Sequence, residues 1–267
     1  MISSKQNGEI KLLRSLKQRK YRQREKLFVI EGIRIIEEAI NDGADILKVY
    51  YSPLIGANPR AQRLLKELEK KKIVKFLIEE KLFYELAETE APQGILAVVK
   101  EPDYDLNDLL KFKSLYPHII LINGVQDPGN LGNILRTAAA AGWAGAILSK
   151  GTVDLYNPKA IRSTMGAIHK IPILRKIELT DLLYELRQRN FQIIATGLAG
   201  ELQHFEIDFS QPTVIIVGNE GNGVDPELLY SVDDVVKIPM DPQAESLNVA
   251  VAAGIVIFEG VRQNLLK

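Results

Sequence analysis

The sequence predicts an α/β protein of two units. Residues 1–100 form a small α/β unit, residues 101–114 a linker, and residues 115–267 a larger unit built on a parallel sheet with helices on both faces. Three observations carry this. Short apolar runs such as Leu27-Phe28-Val29-Ile30 and Val214-Ile215-Ile216-Val217 alternate with amphipathic stretches, the pattern of strands covered by helices. The stretch 101–114, opening Glu-Pro-Asp-Tyr-Asp, is polar enough to join two domains. The chain, at 267 residues, is long enough for one large domain or two of ordinary size.

In order, a basic helix precedes a strand over residues 27–30 and a helix over 32–41. A strand (46–51), a helix (59–72), a strand (73–78), a helix (80–87) and a strand (94–99) complete the first unit. The linker's Leu109-Leu110 pair suits a short helix. The second unit opens with a strand over 118–123. Helix 131–141 follows, with Asn130 where an N-cap is expected and Gly142 suited to the left-handed C-terminal cap. After strand 145–149, Asn157-Pro158 opens a helix as a capping residue followed by Pro at the first helical position. Strand 171–174, helix 180–190, and strands 192–196, 213–217 and 235–238 lead to a long last helix over 245–266.

Composition bounds the class. With 46% hydrophobic and 25% charged residues the chain reads as an ordinary globular protein. No apolar run reaches the roughly 18 residues of a membrane span, and the N-terminus lacks the apolar core of a secretory signal, so a cytoplasmic location is expected. There is no cysteine, which excludes disulfides and thiolate metal sites. His118, His169 and His204 are scattered without ligand spacing, so no metal is expected; His169, near Pro172, reads as structural. The net charge is zero, but residues 1–26 carry nine Lys/Arg against two Glu. Such a segment, including Lys17, Arg19, Lys20 and Arg22, can contact phosphates. The other reading is a solvated amphipathic helix with Leu12, Leu13 and Leu16 packed inward.

Three segments place glycine or polar residues directly beside apolar runs, where a packed scaffold meets a ligand. The first is Asp127-Pro128-Gly129-Asn130-Leu131-Gly132-Asn133-Ile134-Leu135-Arg136. Arg136 lies close to two helical turns beyond Asn130, and Leu131, Ile134, Leu135 and Ala138 supply the apolar face. By themselves, Asn130 could be only a cap and Arg136 only a surface side chain. The second, Gly218-Asn219-Glu220-Gly221-Asn222-Gly223-Val224, follows a buried strand. Its glycines admit a ligand close to the backbone, and Glu220 has little side-chain cover. This spacing is not G-x-G-x-x-G, and no Gly-Lys-Ser/Thr follows, which disfavours a dinucleotide fold and excludes a P-loop. The third pairs Ile238-Pro239-Met240 with Glu245-Ser246-Leu247-Asn248-Val249, where free N–H groups of a helix start converge with Ser and Asn side chains.

In this order and spacing the three motifs closely resemble those of the SpoU (TrmH-type) RNA ribose 2′-O-methyltransferases of the SPOUT class, over about residues 119–266. The resemblance implies a deep C-terminal trefoil knot whose loops hold S-adenosyl-L-methionine. It also implies a homodimer packed through the knotted domains, with no membrane partner. By position, Thr196, Gly197, Leu198, Gly218, Ile238, Met240 and Leu247 would contact the cofactor. Asn130, Arg136, Glu220, Ser246 and Asn248 would be catalytic: Asn130, Ser246 and Asn248 orienting ribose and Arg136, Glu220 holding the arginine or neighbouring backbone. Arg136 would either accept the hydroxyl proton or, as a cation, stabilise the forming alkoxide. The second is favoured because a guanidinium is a cation throughout the physiological range.

Residues 1–100, through Phe28-Val29-Ile30-Glu31-Gly32 and Glu37-Glu38-Ala39, resemble the L30e-like substrate-binding domain often attached to this family. The stretch Tyr156-Asn157-Pro158-Lys159-Ala160-Ile161-Arg162-Ser163-Thr164-Met165-Gly166-Ala167 is similar to the branch acting on ribosomal RNA. It favours ribosomal over transfer RNA and makes Lys159 and Arg162 phosphate contacts; a solvated helix face is their other reading. The rival functions are a non-catalytic RNA-binding module and, disfavoured by the glycine pattern, a nucleotide-dependent oxidoreductase.

Overall fold

Helix α1 (Gly8–Leu16) of the computed structural model, which describes residues 1–56, 58–175 and 177–266, starts where the Asn7 side chain accepts from Glu9 N. It buries Ile10, Leu13 and Leu16 among Tyr50, Phe83, Leu96 and Val98. Each such side chain contributes about 1.5–3 kcal/mol when fully buried. A break at residues 17–18 separates it from α2 (Arg19–Glu25). The basic segment is therefore two helices, and the inward residues are Ile10, Leu13 and Leu16, with Leu12 only half-buried.

The first unit continues through β1 (Leu27–Glu31), α3 (Ile33–Asn41), β2 (Ile46–Tyr51), α4 (Pro59–Lys70), β3 (Val74–Leu77), α5 (Glu80–Leu86) and β4 (Ile95–Lys100). Over the described residues its sheet runs β1-β4-β2-β3. β4 pairs antiparallel with both neighbours, and β2 pairs parallel with β3.

The second unit follows with α6 (Leu106–Lys111), β5 (Tyr116–Ile122), α7 (Pro128–Ala140) and β6 (Trp143–Leu148). Helix α8 (Pro158–Thr164) interrupts it before β7 (Ile173–Arg175), α9 (Leu179–Gln188), β8 (Gln192–Thr196), β9 (Leu202–Gln203), β10 (Thr213–Val217), α10 (Pro226–Leu229), β11 (Asp234–Lys237) and α11 (Val249–Leu265). The described strands form one parallel sheet in the order β7-β6-β5-β10-β8-β11-β9. On one face Ile119, Leu121, Val214 and Ile216 pack with Leu182, Leu183 and Leu186 of α9. Helix α7 packs on β6, and α11 packs on α7. No helix among the described residues is long and apolar enough to cross a membrane.

Contacts group Tyr156–His169 with Met1–Pro102, and leave Asp103–Leu155 with the chain from Lys170 onward. The sequence reading put residues 156–169 in the catalytic half. Their aromatic side chains decide otherwise. Tyr156 stacks on Phe28 at 4.2 Å between ring centroids, and His169 lies against the same ring at 6.1 Å. Gly166 lies so close to α3 that a Cβ there would meet the Glu38 Cβ at 3.0 Å.

Candidate active site

Helix α7 starts at Pro128 because Asp127 is its N-cap, accepting from Asn130 N at 3.0 Å. This corrects the expected cap at Asn130: an acceptor followed by Pro at the first helical position is the stronger start. The Asn130 side chain is thereby released for other bonds. Its Nδ2 donates to Glu220 Oε1 (3.0 Å), and its Oδ1 accepts from Asn248 Nδ2 (3.0 Å). One carboxamide thus joins the three motifs.

Glu220 sits on a turn closed by reciprocal backbone bonds between Asn219 and Gly223. Its two oxygens also accept from Gln126 N and Asp127 N, each at 3.0 Å. Burial pushes this carboxyl up. The donors Asn130, Gln126 and Asp127 outweigh it and hold Glu220 below the usual carboxylate range. The turn needs glycine at Gly218, where a Cβ would lie 2.0 Å from the Gly223 carbonyl carbon.

Asn248 is the N-cap of α11, its Oδ1 accepting from Ala250 N and Val251 N. The helix therefore begins four residues after the expected start, and Glu245, Ser246 and Leu247 lie on the preceding loop. Thr196, Gly197, Leu198, Gly218, Ile238, Met240 and Leu247 all line one cleft of about 490 Å³, together with Glu220, Ser246 and Asn248. Arg136 is not in that cleft. It is exposed on α7 and lines an adjoining groove with Asn133, Thr137, Val251, Phe258 and the same Asn248. Asn248 is common to both walls.

Asn219, Gln126 and Asp127 were missed as site residues. Asn219 Nδ2 donates to Gly124 O (2.8 Å), while its Oδ1 accepts from Gly221 N and Asn222 N. Gln126 Nε2 donates to Gly124 O and Gly151 O. The signal for Asp127 was legible in Asp-Pro; Gln126 carried none.

The basic residues divide. Arg19, Lys20, Lys159 and Arg162 are exposed. Lys17 pairs with Glu88 at 3.0 Å. Arg22 is a correction: only 4% exposed, it donates to Leu16 O (2.8 Å) and Lys17 O (2.7 Å). Its guanidinium ties α2 to the end of α1 and is withdrawn from solvent. Among the described residues no cluster of His, Asp or Glu is arranged to hold a metal. Burial pushes His169 down to about 4.

Residues 117–258 match the SpoU rRNA Methylase family, and residues 7–97 match the MRM3-like substrate binding domain. The chain is 36% identical over 257 residues to the 23S rRNA (guanosine(2553)-2′-O)-methyltransferase RlmP of Bacillus subtilis, covering 96% of this chain and 97% of that one. It is 33% identical to the 23S rRNA (guanosine-2′-O-)-methyltransferase RlmB of Pasteurella multocida, over 88% of this chain and 98% of the relative. The S-adenosylmethionine-bound rRNA methyltransferase of Sinorhizobium meliloti superposes with a TM-score of 0.87 at 31% identity, covering 100% of this chain and 98% of that one. The cofactor complex of the SpoU methyltransferase AviRb of Streptomyces viridochromogenes gives 0.88 at 29%, covering 97% and 99%. The chain belongs to the SpoU (TrmH-type) family of S-adenosylmethionine-dependent RNA ribose 2′-O-methyltransferases and joins that domain to an MRM3-like substrate-binding domain.

Proposed function

We propose that this chain transfers a methyl group from S-adenosylmethionine to a ribose 2′-hydroxyl of ribosomal RNA, with residues 1–102 and 156–169 recognising RNA and residues 103–155 and 170–267 performing the transfer. One observation carries the assignment of roles: Asn130 bonds to both Glu220 and Asn248, and Asn248 lines both the large cleft and the groove of Arg136. Methyl donor and acceptor then approach from opposite sides of one side chain.

The cleft fits the cofactor. Its volume of about 490 Å³ lies within the roughly 300–1,000 Å³ of small-molecule sites. Half-buried Ile238 and Met240 and exposed Leu198 and Leu247 offer apolar surface for a purine. Gly197 and Gly218 bring backbone into the wall of the cleft. When bound, the cofactor supplies an electrophilic methyl group on a sulfonium. The chain's own task is positioning and charge: Ser246, Asn130 and Asn248 orient the ribose, and Arg136 as a cation stabilises the forming alkoxide. Glu220 keeps Asn130 in register.

Phosphate contacts are assigned to Arg19, Lys20, Lys159 and Arg162, all exposed. A homodimer is supported by Val251, Phe258 and Leu265, which recur every seven residues along α11 and are 52%, 50% and 74% exposed. The trefoil knot is supported by the chain's path. Strand β11 lies beyond β8, yet the chain returns to pack α11 on α7. A cytoplasmic site of action accords with such a substrate.

The test is transfer of labelled methyl to purified ribosomal and transfer RNA, followed by nuclease digestion. Label in a 2′-O-methylnucleoside of ribosomal RNA is expected. Label in transfer RNA alone, or in a base, would discard the proposal. Arg136→Lys, which keeps the charge and loses the planar fork, should lower kcat by more than roughly tenfold. Near-wild-type turnover would remove Arg136 from the chemistry.

A further inference from the structure

A second cleft lies wholly in the first unit, with a volume of about 260 Å³ and walls that include Gly32, Arg34, Ala91, Gln93, Arg162 and Met165. We propose that it takes one unpaired nucleotide of the RNA substrate, phosphate on Arg34 and Arg162, base against Met165 and Ala91. This deepens the reading of the chain as an RNA enzyme and rests on it.

Four observations converge. Arg34 and Arg162 are both exposed and line the same cleft from α3 and α8. Among the described residues neither guanidinium has an ion-pair or hydrogen-bond partner, unlike Arg14, Lys17 and Lys48 of the same unit. Two unpaired forks facing one concavity suit a phosphodiester.

The wall is rigid. Gln93 Oε1 accepts from Ile33 N (2.8 Å), closing the 88–93 loop onto the start of α3. Glu31, the one acid among the described residues that line the cleft, has both oxygens engaged, by Glu88 N (2.7 Å) and by the Thr89 hydroxyl. It fastens the loop, and the two cations outweigh its charge.

Met165 carries the third observation. It occupies a left-handed conformation (φ 49°) directly after α8, where glycine is the usual residue. Its side chain is nonetheless 42% exposed and faces the cleft. A bulky apolar side chain held in a disfavoured conformation and presented to solvent points to a ligand. The fourth observation is the anchor beside it. Gly166 (φ 90°) packs against Glu38, which seats the end of α8 on α3.

The experiment uses the full chain and a fluorescent single-stranded oligoribonucleotide, with a duplex of equal length and inorganic phosphate as competitors. Arg34→Gln and Arg162→Gln should each weaken binding roughly tenfold and reduce the salt slope by about 1. Arg34→Lys should keep the slope, and Arg63→Gln, an exposed control on α4, should change neither. Met165→Gly should keep or raise Tm and weaken single-strand binding roughly threefold, the scale of one lost apolar contact. A merely structural methionine would raise Tm and leave affinity untouched. Unchanged affinity and slope in both Gln variants would overturn the proposal, as would equal preference for duplex or full displacement by phosphate alone. Methyl transfer by the wild type is measured on the same preparation. Its absence, with these binding effects intact, rejects the enzymatic reading and leaves the subsite standing.

Discussion

Glu220→Gln isolates what the carboxylate contributes. Its two oxygens accept three N–H groups: Asp127 N and Asn130 Nδ2 on Oε1, Gln126 N on Oε2, all at 3.0 Å. A carboxamide has one acceptor oxygen. Whichever way it is turned, at least one of those donors meets an NH2 group. Each hydrogen bond to a charged acceptor contributes about 1.5–3 kcal/mol. Glu220 is exposed, so solvent screening reduces the loss to about 1–2 kcal/mol. That is a factor of roughly 5–30 in the ratio of ordered to disordered turn, and kcat should fall by up to that factor, because Asn130 loses its alignment toward Asn248. The KM for the cofactor should change less, since the glycine backbone of the turn remains. Acid stability gives an independent check. The folded carboxyl is held below its usual range, so its contribution is present above the unfolded value of about 4.3 and lost as pH falls through the folded value. Glu220→Gln should therefore be less stable at pH 7 and flatter below about pH 4.3. Wild-type kcat together with an unchanged acid limb would refute the reasoning. Steady-state methyl transfer and thermal unfolding across pH measure both.

Other expectations follow from single contacts. Gly218→Ala places a Cβ 2.0 Å from the Gly223 carbonyl carbon; cofactor binding by calorimetry should be lost, with Tm lowered. Arg22→Ala leaves Leu16 O and Lys17 O without their donor, costing about 1–3 kcal/mol. It should lower Tm in thermal denaturation and leave the salt slope of RNA binding unchanged. His169, pushed down to about 4 with its buried Nε2 unpartnered among the described residues, binds its proton more tightly when unfolded. Stability should then rise with pH between about 4 and 6.5, by at most about 3 kcal/mol. His169→Phe should abolish that slope in urea titrations at pH 5 and 7.

The strands of both sheets were legible because their apolar runs are short, contiguous and bounded by turns. The seven cofactor candidates come together in one cleft because each lies at a strand end or loop at one edge of the parallel sheet. What misled were local capping rules. Asn130 and Glu245 both look like helix starts, yet Asp127 and Asn248 hold those positions. At each end several polar residues compete, and the tertiary bonds of Asn130 and Asn248 decide. β9 and α10, two and four residues long, are too short to show a period. The placement of Tyr156–His169 with the first unit depends on Phe28, more than a hundred residues away, and no local pattern announces it. The basic segment misled differently. Its charge is visible in the sequence, but the withdrawal of Arg22 into a helix junction is a property of the fold.

The residue type at position 248 follows from the three bonds it makes. The Oδ1 of Asn248 caps α11 through Ala250 N and Val251 N, while its Nδ2 donates to Asn130. Aspartate and serine cap helices equally well. Aspartate, however, has no donor for the Asn130 carbonyl, and the single oxygen of serine is too close to its own backbone to span both tasks. A carboxamide supplies an acceptor on one side and a donor on the other. The last helix is therefore fixed to α7 at the point where the large cleft and the Arg136 groove share a wall. Moving that wall displaces both faces together. Under the proposed assignment, methyl donor and acceptor would be positioned together by a side chain that need not react with either.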